Sequence, residues 1–221
     1  CKMKVVIIGD GGHSKVIQEM VRTLKYNIIA ILDDKYKNSV RNVNDITYAP
    51  ISELDKLIDS DVFIVVAIGD NKIRRNLVQK TKKLTKNFLT IIHPKAVISP
   101  TAKIGDGTVI MPKAVVNADA IIEDHCIINT GAIIEHDNKI CEFAHISPSA
   151  TLAGNVEVGS GTHLGAASTI IPGIVVGSWS VIGAGSTVIR NIPSYCKAVG
   201  SPTRIIEYLE DEVEVRLGGV N

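Results

Sequence analysis

The sequence predicts an α/β domain joined to an all-β domain: a small Rossmann-like parallel sheet over residues 1–92, followed by a parallel β-helix over residues 93–206. In the first part, short apolar runs alternate with amphipathic helical patterns. From residue 97 onward, an aliphatic side chain recurs at every sixth position instead. Such a change of period indicates two domains built on different principles. A charged tail is expected over residues 207–221.

Three apolar runs in the first domain are typical of buried parallel strands, at residues 4–8, 27–32 and 62–67. Residues 88–92 are a candidate fourth strand. Helical spacing between the runs predicts two amphipathic helices, and the alternation of strand and helix indicates a small doubly wound sheet. The expected apolar faces are Val16, Ile17, Met20, Val21 and Leu24 in the first helix, and Ile73, Leu77 and Leu84 in the second.

The six-residue repeat of the second domain runs unbroken from Ile98 to Val188, with Ile, Leu or Val at every sixth position. A small residue, such as Ala102 or Thr108, stands four positions after most of these aliphatic residues. Inward aliphatic side chains and small corner residues describe a triangular parallel β-helix with three hexapeptides per coil. Residues three hexapeptides apart are then expected to stack on neighbouring coils, about 4.8 Å apart.

Charge and composition exclude several classes of partner. Lys and Arg number 24 against 23 Asp and Glu, so no net field favours nucleic acid or an anionic membrane. The early apolar run at residues 5–8 is far shorter than a signal or membrane-spanning segment, which predicts a cytoplasmic protein. The four cysteines, Cys1, Cys126, Cys141 and Cys196, form no CxxC motif and are expected to be reduced thiols.

Polar residues follow the first two predicted strands. The turn over residues 9–14, which contains Gly11 and His13, joins the first strand to the first helix. Backbone N–H groups and the helix dipole can hold phosphate there, although Ser14 replaces the third glycine of GxGxxG. Asp33 and Asp34 end the second strand, a position from which an acid can reach a ribose or a base.

Asp70 and Asn71 close the third predicted strand at the same edge of the sheet. Because open α/β sheets bind ligands at the carboxyl ends of their strands, these three loops predict one binding site. A domain of about 92 residues is too small for a whole dinucleotide. The expected ligand is therefore a mononucleotide or a nucleotide sugar.

Three corners of the β-helix depart from the small-residue rule, at Asn138, Val156 and Ile174. Two of them adjoin His136 and Gly154, which are the residues best suited to chemistry in this domain. A local break in a strict repeat favours a functional interpretation of the residues beside it.

His136 stands between Glu135 and Asp137, so an imidazole and two carboxylates are adjacent. Acyl transfer to a protonated amine requires a base to take the proton and is helped by a carboxylate that orients the base. Gly154 lies one coil after His136, where an uncovered backbone N–H is a candidate oxyanion donor. His145 is a candidate to line the same groove.

A set of short motifs, extending to about residue 206, resembles the NeuD/PglD family of sugar O- and N-acetyltransferases. The motifs are GDGGH at 9–13, LDD at 32–34, AIGDNKIR at 67–74, IHP at 92–94, NTG at 129–131, IEH at 134–136, EFAHIS at 142–147, AGNV at 153–156 and VGSP at 199–202. The resemblance implies a left-handed β-helix, a homotrimer and an active site between neighbouring subunits. It also implies acetyl transfer from acetyl-coenzyme A to a nucleotide-linked amino sugar, with UDP as the expected nucleotide, in bacterial glycan or polysaccharide biosynthesis.

The resemblance also implies roles for single residues, which join those expected from the motifs. His136 is the expected general base, and Asp137 stands where some relatives are expected to carry Glu. The expected catalytic group is His136, Asp137, Glu135 and Asn129; the expected nucleotide-sugar ligands are Gly11, His13, Asp33, Asp34, Asp70 and Asn71; and the expected acetyl-coenzyme A contacts are His145, Gly154, Gly165 and Ala184.

Three other functions fit parts of this pattern. A sugar O-acetyltransferase would use the same base, and a non-catalytic hexapeptide-repeat scaffold would need no histidine in the groove. An enzyme resembling carbonic anhydrase would need three histidines on one metal, for which His136, His145 and His163 are available. Because His136 and His145 occupy different points of the hexapeptide, the sequence predicts no metal site.

Overall fold

The structure is a computed structural model, and it describes residues 2–37 and 39–209. The chain divides into two compact units. The first comprises the residues up to Pro94 together with Asp106–Val109, and the second comprises Lys95–Gly105 and the residues from Ile110 onward. The sequence placed this boundary two residues earlier and did not anticipate the grouping of residues 106–109 with the first unit.

A five-stranded sheet forms the centre of the first unit. Its strands in spatial order are Arg41–Val43, Ile46–Ala49, Asn27–Leu32, Lys4–Ile8 and Val62–Val66. The last four are mutually parallel, as the apolar runs predict, and the central residues Val5 to Ile8 are fully buried. The antiparallel edge strand Arg41–Val43 was not predicted. The sequence signal for this hairpin is the Asn44-Asp45 pair, which forms its two-residue turn with positive φ at both residues.

Two α-helices accompany the sheet, Gly12–Thr23 and Asn71–Thr81, along with 3₁₀ turns at Asp34–Tyr36 and Ile51–Lys56. The apolar face predicted for the first helix is largely correct, since Ile17, Met20 and Val21 are buried. Val16 lies outside this face and is 40% exposed.

The apolar face predicted for the second helix is wrong. Ile73 is 53% exposed, and Leu84 lies beyond the end of the helix. The buried positions are instead Asn71, Arg74, Val78 and Thr81. The Arg74 guanidinium can occupy a buried position because it donates to the carbonyls of Ile68 and Gly69 at 3.0 and 3.2 Å. A pattern search for apolar residues cannot find such a face.

The predicted fourth strand at 88–92 is also wrong, because its two ends belong to different sheets. Phe88 forms a single bridge to Ile64 of the first sheet. Ile91–Ile92 belongs to a sheet of the β-helix instead.

Short parallel strands, most of two residues, form the three faces of the β-helix. The first face contains Ile91–Ile92, Val109–Ile110, Ile127–Ile128, His145–Ile146, His163–Leu164, Val181–Ile182, Cys196–Val199 and the antiparallel Arg204–Tyr208. The second face contains Val97–Ile98, Val115–Val116, Ile133–Ile134, Thr151–Leu152, Thr169–Ile170 and Thr187–Val188. The third face contains Lys103–Ile104, Ile121–Ile122, Lys139–Ile140, Glu157–Val158 and Val175–Val176.

The register between coils is the predicted one. Val115 pairs with Val97 on one side and with Ile133 on the other, which is a step of three hexapeptides each way. The second residue of each two-residue strand points into the prism, and most of these side chains, among them Ile110, Val116 and Ile134, are fully buried. The interior is therefore a stack of aliphatic side chains, as the six-residue period requires.

The predicted tail overlaps the last strand, because Arg204–Tyr208 continues past residue 207. The remainder of that segment, from residue 210, lies outside the described residues. Within the part of the chain that the structure describes, no helix is long and apolar enough to span a membrane.

Candidate active site

Gly9 brings the three predicted loops of the sheet together. Its amide donates to the Leu32 carbonyl at 2.7 Å, and its φ is +105°. A Cβ at this position would lie 2.6 Å from the Ile68 Cδ1 atom. A glycine is therefore needed here on both conformational and steric grounds, and the loops after Lys4–Ile8, Asn27–Leu32 and Val62–Val66 meet at this point.

Asp33 links two of these loops and is less available to a ligand than the sequence suggests. One carboxylate oxygen accepts from the Asp10 amide at 2.8 Å, and the other accepts from the Lys35 amide at 2.9 Å. Asp34 is exposed, and one of its oxygens accepts a longer bond of 3.3 Å from the Ile51 amide. Asp34 is therefore the better candidate for contact with a nucleotide.

Asp10 is the centre of a polar cluster that the sequence analysis missed. Its carboxylate accepts from Lys35 Nζ at 2.6 Å, from the Tyr36 hydroxyl and from Gln18 Nε2 at 3.2 Å. Burial acts to raise the pKa of Asp10, but the hydrogen bonds from Lys35 and Tyr36 outweigh it and hold that pKa below its usual value. Asp10 lies inside the glycine-rich turn, whose backbone conformation does not require an acidic residue. The presence of an acid there was the one sequence signal for this cluster.

The first helix begins directly after this turn, with Gly11 as its N-cap and no side chain capping it. A Cβ on Gly11 or Gly12 would meet nothing within 4 Å, so the helix N-terminus is open to a ligand. Burial, with the nearby Arg74 charge as a second cause, lowers the pKa of His13 to about 4. His13 is therefore neutral near pH 7 and brings no positive charge to a phosphate.

Asp70 and Asn71 direct their side chains to bonds within their own helix. Asp70 is the N-cap of the second helix and accepts from the Ile73 amide at 2.8 Å. Asn71 Oδ1 accepts from the Arg74 guanidinium at 2.8 Å. The sequence predicted both as ligands, whereas these contacts give each of them a structural role at the edge of the sheet.

In the β-helix, His136 and Asp137 form a hydrogen-bonded pair, with 2.7 Å between the imidazole Nδ1 and the carboxylate Oδ2. Both side chains are exposed, His136 to 60%. The Asp137 hydrogen bond raises the pKa of His136 above its usual value, and the Asp137 and Glu135 charges act in the same direction. Since the carboxylate accepts at Nδ1, the ring nitrogen left to face a substrate is Nε2.

The imidazole lies directly against Gly154, one coil further along. A Cβ on Gly154 would be 2.6 Å from His136 Cε1 and Nε2, so only glycine leaves room for the ring. We call residues 135–138 the base loop and residues 153–156 the facing loop. The two are joined by a backbone bond of 3.0 Å from the Asn155 amide to the His136 carbonyl.

Asn129 and His145 form a second polar pair on the first face. The Thr130 amide donates to Asn129 Oδ1 at 2.8 Å, which leaves Asn129 Nδ2 to donate to His145 Nε2 at 3.0 Å. On the next coil the same arrangement joins Ser147 Oγ to His163 Nε2 at 2.7 Å. The two imidazoles are stacked, with ring centroids 4.7 Å apart.

These pairs lie at different edges of the prism. Asn129 follows a strand of the first face, whereas His136 follows a strand of the second face. Within one chain, the structure therefore does not bring Asn129 and His145 into the hydrogen-bonded group of His136.

Gly165 and Ala184 are adjacent on neighbouring coils. A Cβ on Gly165 would lie 2.5 Å from the Ala184 amide nitrogen. Gly159 and Gly177 meet the next coil in the same way, at 2.5 and 2.3 Å. Glycine at 165 thus has a packing reason that is independent of any coenzyme.

Comparison with known proteins decides the family. Residues 4–81 match the PglD N-terminal domain, and residues 101–136 match the bacterial transferase hexapeptide repeats. A mutant of perosamine N-acetyltransferase from Caulobacter crescentus, solved with CoA and GDP-perosamine, is 36% identical, with 92% of this chain and 97% of that chain covered and a TM-score of 0.87. The chain belongs to the NeuD/PglD family of sugar acetyltransferases.

Two further NeuD/PglD-type relatives agree with this. The acetyltransferase domain of PglB from Neisseria gonorrhoeae, in complex with acetyl coenzyme A, is 34% identical and covers 93% of this chain and 100% of its own, with a TM-score of 0.85. UDP-N-acetylbacillosamine N-acetyltransferase of Bacillus subtilis is 46% identical over 107 residues. That match covers 47% of this chain and 49% of the Bacillus enzyme, so the chain matches about half the length of this curated relative.

The resemblance and the fold class predicted from the sequence are confirmed. The β-helix is the left-handed hexapeptide-repeat helix of the NeuD/PglD family, and a Rossmann-like sheet precedes it. Within the described ranges, no three His, Cys, Asp or Glu side chains are grouped to hold a metal ion. The alternative with His136, His145 and His163 on one metal meets the further difficulty that His136 lies at another edge.

Proposed function

We propose that the protein is an acetyl-coenzyme A-dependent N-acetyltransferase that acts on a nucleotide-linked amino sugar, with UDP as the nucleotide, in bacterial glycan or polysaccharide biosynthesis. The observation that carries this proposal is the His136–Asp137 pair, in which the imidazole Nδ1 and the carboxylate Oδ2 are 2.7 Å apart. The imidazole of this pair lies against Gly154 of the next coil. The relatives above are N-acetyltransferases, which supports an amine acceptor over a hydroxyl.

His136 is the proposed general base. Its Nδ1–H donates to Asp137, so Nε2 is free of that bond and takes the proton from the sugar amine. The amine nitrogen then attacks the thioester carbonyl carbon, a C–N bond forms and the C–S bond breaks. The thiolate of coenzyme A accepts the proton from His136, and the second proton left on the nitrogen is released to solvent as the neutral amide forms. The Gly154 amide, which lies beside the His136 ring, is the proposed donor to the carbonyl oxygen during this step.

The sheet domain is the proposed site of the nucleotide. Gly11 and the open helix N-terminus would face the phosphates, and Asp34 would face the ribose or base. His13 would act as a neutral hydrogen-bonding group because its pKa is about 4. Asp33 would act by fixing the loops, through its bonds to the Asp10 and Lys35 amides.

The proposal includes a homotrimer with its active sites between subunits. His136 lies at one edge of the prism, and Asn129 and His145 lie at another. A site that uses all three residues therefore needs edges from two copies of the chain. Exposed aliphatic side chains on the β-helix, among them Val97 at 62% and Ile189 at 42%, also favour association. In this arrangement His145, Gly165 and Ala184 would contact acetyl-coenzyme A, and the enzyme would work in the cytoplasm, where this donor is available.

Acetyl transfer in vitro tests the proposal. The purified chain is incubated with acetyl-coenzyme A and, in separate reactions, UDP-linked and GDP-linked amino sugars and the matching hydroxyl sugars. We expect coenzyme A release only with an amino sugar, fastest with UDP, and an acetylated product by mass spectrometry. Release with the hydroxyl sugars alone would instead indicate an O-acetyltransferase, and no release with any acceptor would reject the activity. Sedimentation at micromolar concentration tests the trimer. If only a monomer were found, the trimer and the intersubunit site would be rejected.

A further inference from the structure

Asn138 is a buried polar residue at the edge that carries His136. It is 1% exposed and occupies a corner where the repeat normally has a small residue. The other residues stacked at this edge are apolar, namely Ala120 one coil before it and Val156 and Ile174 on the following coils. Since a buried amide is stable only when it is hydrogen-bonded, its partners indicate what it is for.

Those partners are backbone carbonyls of the base loop and the facing loop. Asn138 Nδ2 donates to the Glu135 carbonyl at 2.7 Å and to the Ala153 carbonyl at 2.9 Å, with a longer contact of 3.5 Å to the His136 carbonyl. A single amide group therefore joins the residue before the base to the residue before Gly154. Two other corner side chains also donate to their own loop and to the next coil: Cys126 to the Asp124 and Cys141 carbonyls, and Ser180 to the Ser178 and Pro193 carbonyls. What distinguishes Asn138 is that the two loops it joins are those of His136 and Gly154.

The Asn138 corner also differs from a regular alanine corner in its backbone hydrogen bond. One coil earlier, the Ala120 amide donates to the carbonyl three residues before it, at 3.3 Å. Ala132 and Ala144 do the same at their corners, at 3.0 and 3.3 Å. In the base loop the equivalent carbonyl, that of Glu135, is instead held by the Asn138 side chain. The described residues include no corresponding bond from the Asn138 backbone N–H.

The two joined loops are the ones that set the position of the imidazole. His136 lies in the base loop, and its ring rests on Gly154 of the facing loop. A relative shift of the loops therefore moves Nε2. A displacement of about 1 Å at a reacting group can cost roughly 10²-fold in rate, so a bond that fixes these loops has a kinetic effect.

We infer that Asn138 is a positioning residue for the proposed base, holding the His136 loop against the Gly154 loop through its side-chain amide. The inference rests on the proposed function. It explains why a buried asparagine interrupts the small-residue rule at this corner, and why the interruption lies two residues from the histidine.

The variant Asn138→Ala tests this, because it installs the small residue that the repeat favours. The Glu135 carbonyl can then accept the backbone N–H of residue 138, as at Ala120, so the fold is expected to persist while the loop relaxes. We expect kcat to fall by about 10- to 100-fold. The affinity for acetyl-coenzyme A and the melting temperature are expected to stay near the wild-type values.

The matched control is Ile174→Ala, which truncates a buried side chain at the same edge two coils further on and removes no amide. It is expected to lower the melting temperature and to leave kcat close to the wild-type value. Asn138→Ser offers a conservative comparison, since a serine hydroxyl can still donate to the carbonyl three residues before it, and kcat should recover in part. Equal losses of kcat in Asn138→Ala and Ile174→Ala would overturn the inference, as would normal kcat in Asn138→Ala.

A titration of His136 by NMR, without substrates, separates this inference from the proposed function. The His136 resonance is assigned by its loss in His136→Ala. If Asn138 positions the ring beside Asp137, Asn138→Ala should shift the His136 titration to lower pH, and Ile174→Ala should not. An unchanged titration in Asn138→Ala overturns the positioning role. Absence of acetyl transfer, or full activity in His136→Ala, overturns the proposed function and leaves the titration to decide the role of Asn138.

Discussion

The two parts of this chain reveal their chemistry in different ways. In the β-helix, every coil repeats the one before it, so a residue that serves a purpose other than folding appears as a departure from the period. Asn138 is such a departure, and it lies two residues from His136. In the sheet domain, each loop occurs once, and nothing in the sequence separates a ligand from a structural group. The comparison indicates that candidate sites are assigned more securely against a periodic background.

The largest effect expected from this comparison is on turnover. His136→Ala should lower kcat by about 10² to 10⁴ fold, because a positioned general base contributes in that range. The affinity of this variant for acetyl-coenzyme A should change little, because the His136 side chain is 60% exposed and its loss should not disturb the fold. Steady-state kinetics and calorimetric titration with acetyl-coenzyme A on the folded variant measure both quantities. Near-normal kcat would remove His136 as the base and make His145 the next candidate.

The second expected effect is on the acid stability of the sheet domain. The folded pKa of His13 is about 4, below the unfolded value of 6.5, so the unfolded chain binds more protons between these values. The stability from neutral His13 is therefore fully present above about pH 6.5 and is lost as the pH falls toward 4. At pH 5 the loss is roughly 2 kcal/mol.

Hydrogen exchange at pH 7 and pH 5 measures this loss separately in each domain. Amides of the strand Lys4–Ile8 should lose protection at pH 5, and the loss should be smaller in His13→Leu, which cannot titrate. The same pH dependence in both proteins would show that carboxylates, and not His13, control the acid stability of the sheet. Such a result would weaken the argument that His13 is a neutral ligand.

The third expected effect is on substrate affinity. Asp34→Ala should raise the KM for the nucleotide sugar by about 10-fold or more, because a hydrogen bond to a charged group contributes roughly 1.5–3 kcal/mol. The KM for acetyl-coenzyme A should stay unchanged. Asp55→Ala is the matched control, since Asp55 is another exposed carboxylate of the same domain. A rise in both KM values, or in neither, would contradict the placement of the nucleotide in the sheet domain.

The same contrast determines how much the sequence predicts. The period predicts every coil of the β-helix and its register, because one translation is repeated. It does not predict Asn138 as a partner of two carbonyls, since hydrogen bonds between coils have no sequence signature. In the sheet domain, the strands are predicted but the buried face of the second helix is not, because Arg74 is buried by hydrogen bonds instead of by hydropathy. Asp10 was missed because its partners Lys35 and Tyr36 come from another loop.

The smallest expected effect concerns Asp137, and it is chiefly a shift along the pH axis. The base must be unprotonated to accept the amine proton, so kcat should fall as the pH drops through the His136 pKa. The Asp137 hydrogen bond raises that pKa, so Asp137→Asn should lower it and move the acidic limb of the kcat profile to lower pH. On the alkaline side, kcat should fall by less than in His136→Ala, because the imidazole remains and only its orientation and basicity change.

Asp119→Asn is the control for this shift. Asp119 occupies the position equivalent to Asp137 one coil earlier, with a φ of 58° against 59°, but the residue before it is Ala118 and not a histidine. Its kcat profile should match the wild type at every pH. If Asp137→Asn also kept the wild-type acidic limb, Glu135 would be the carboxylate that sets the basicity of His136, because it is the remaining acid whose charge acts on that ring. The pair Glu135→Gln and Asp137→Asn, each titrated through kcat, therefore assigns the partner of the base by which variant moves the limb.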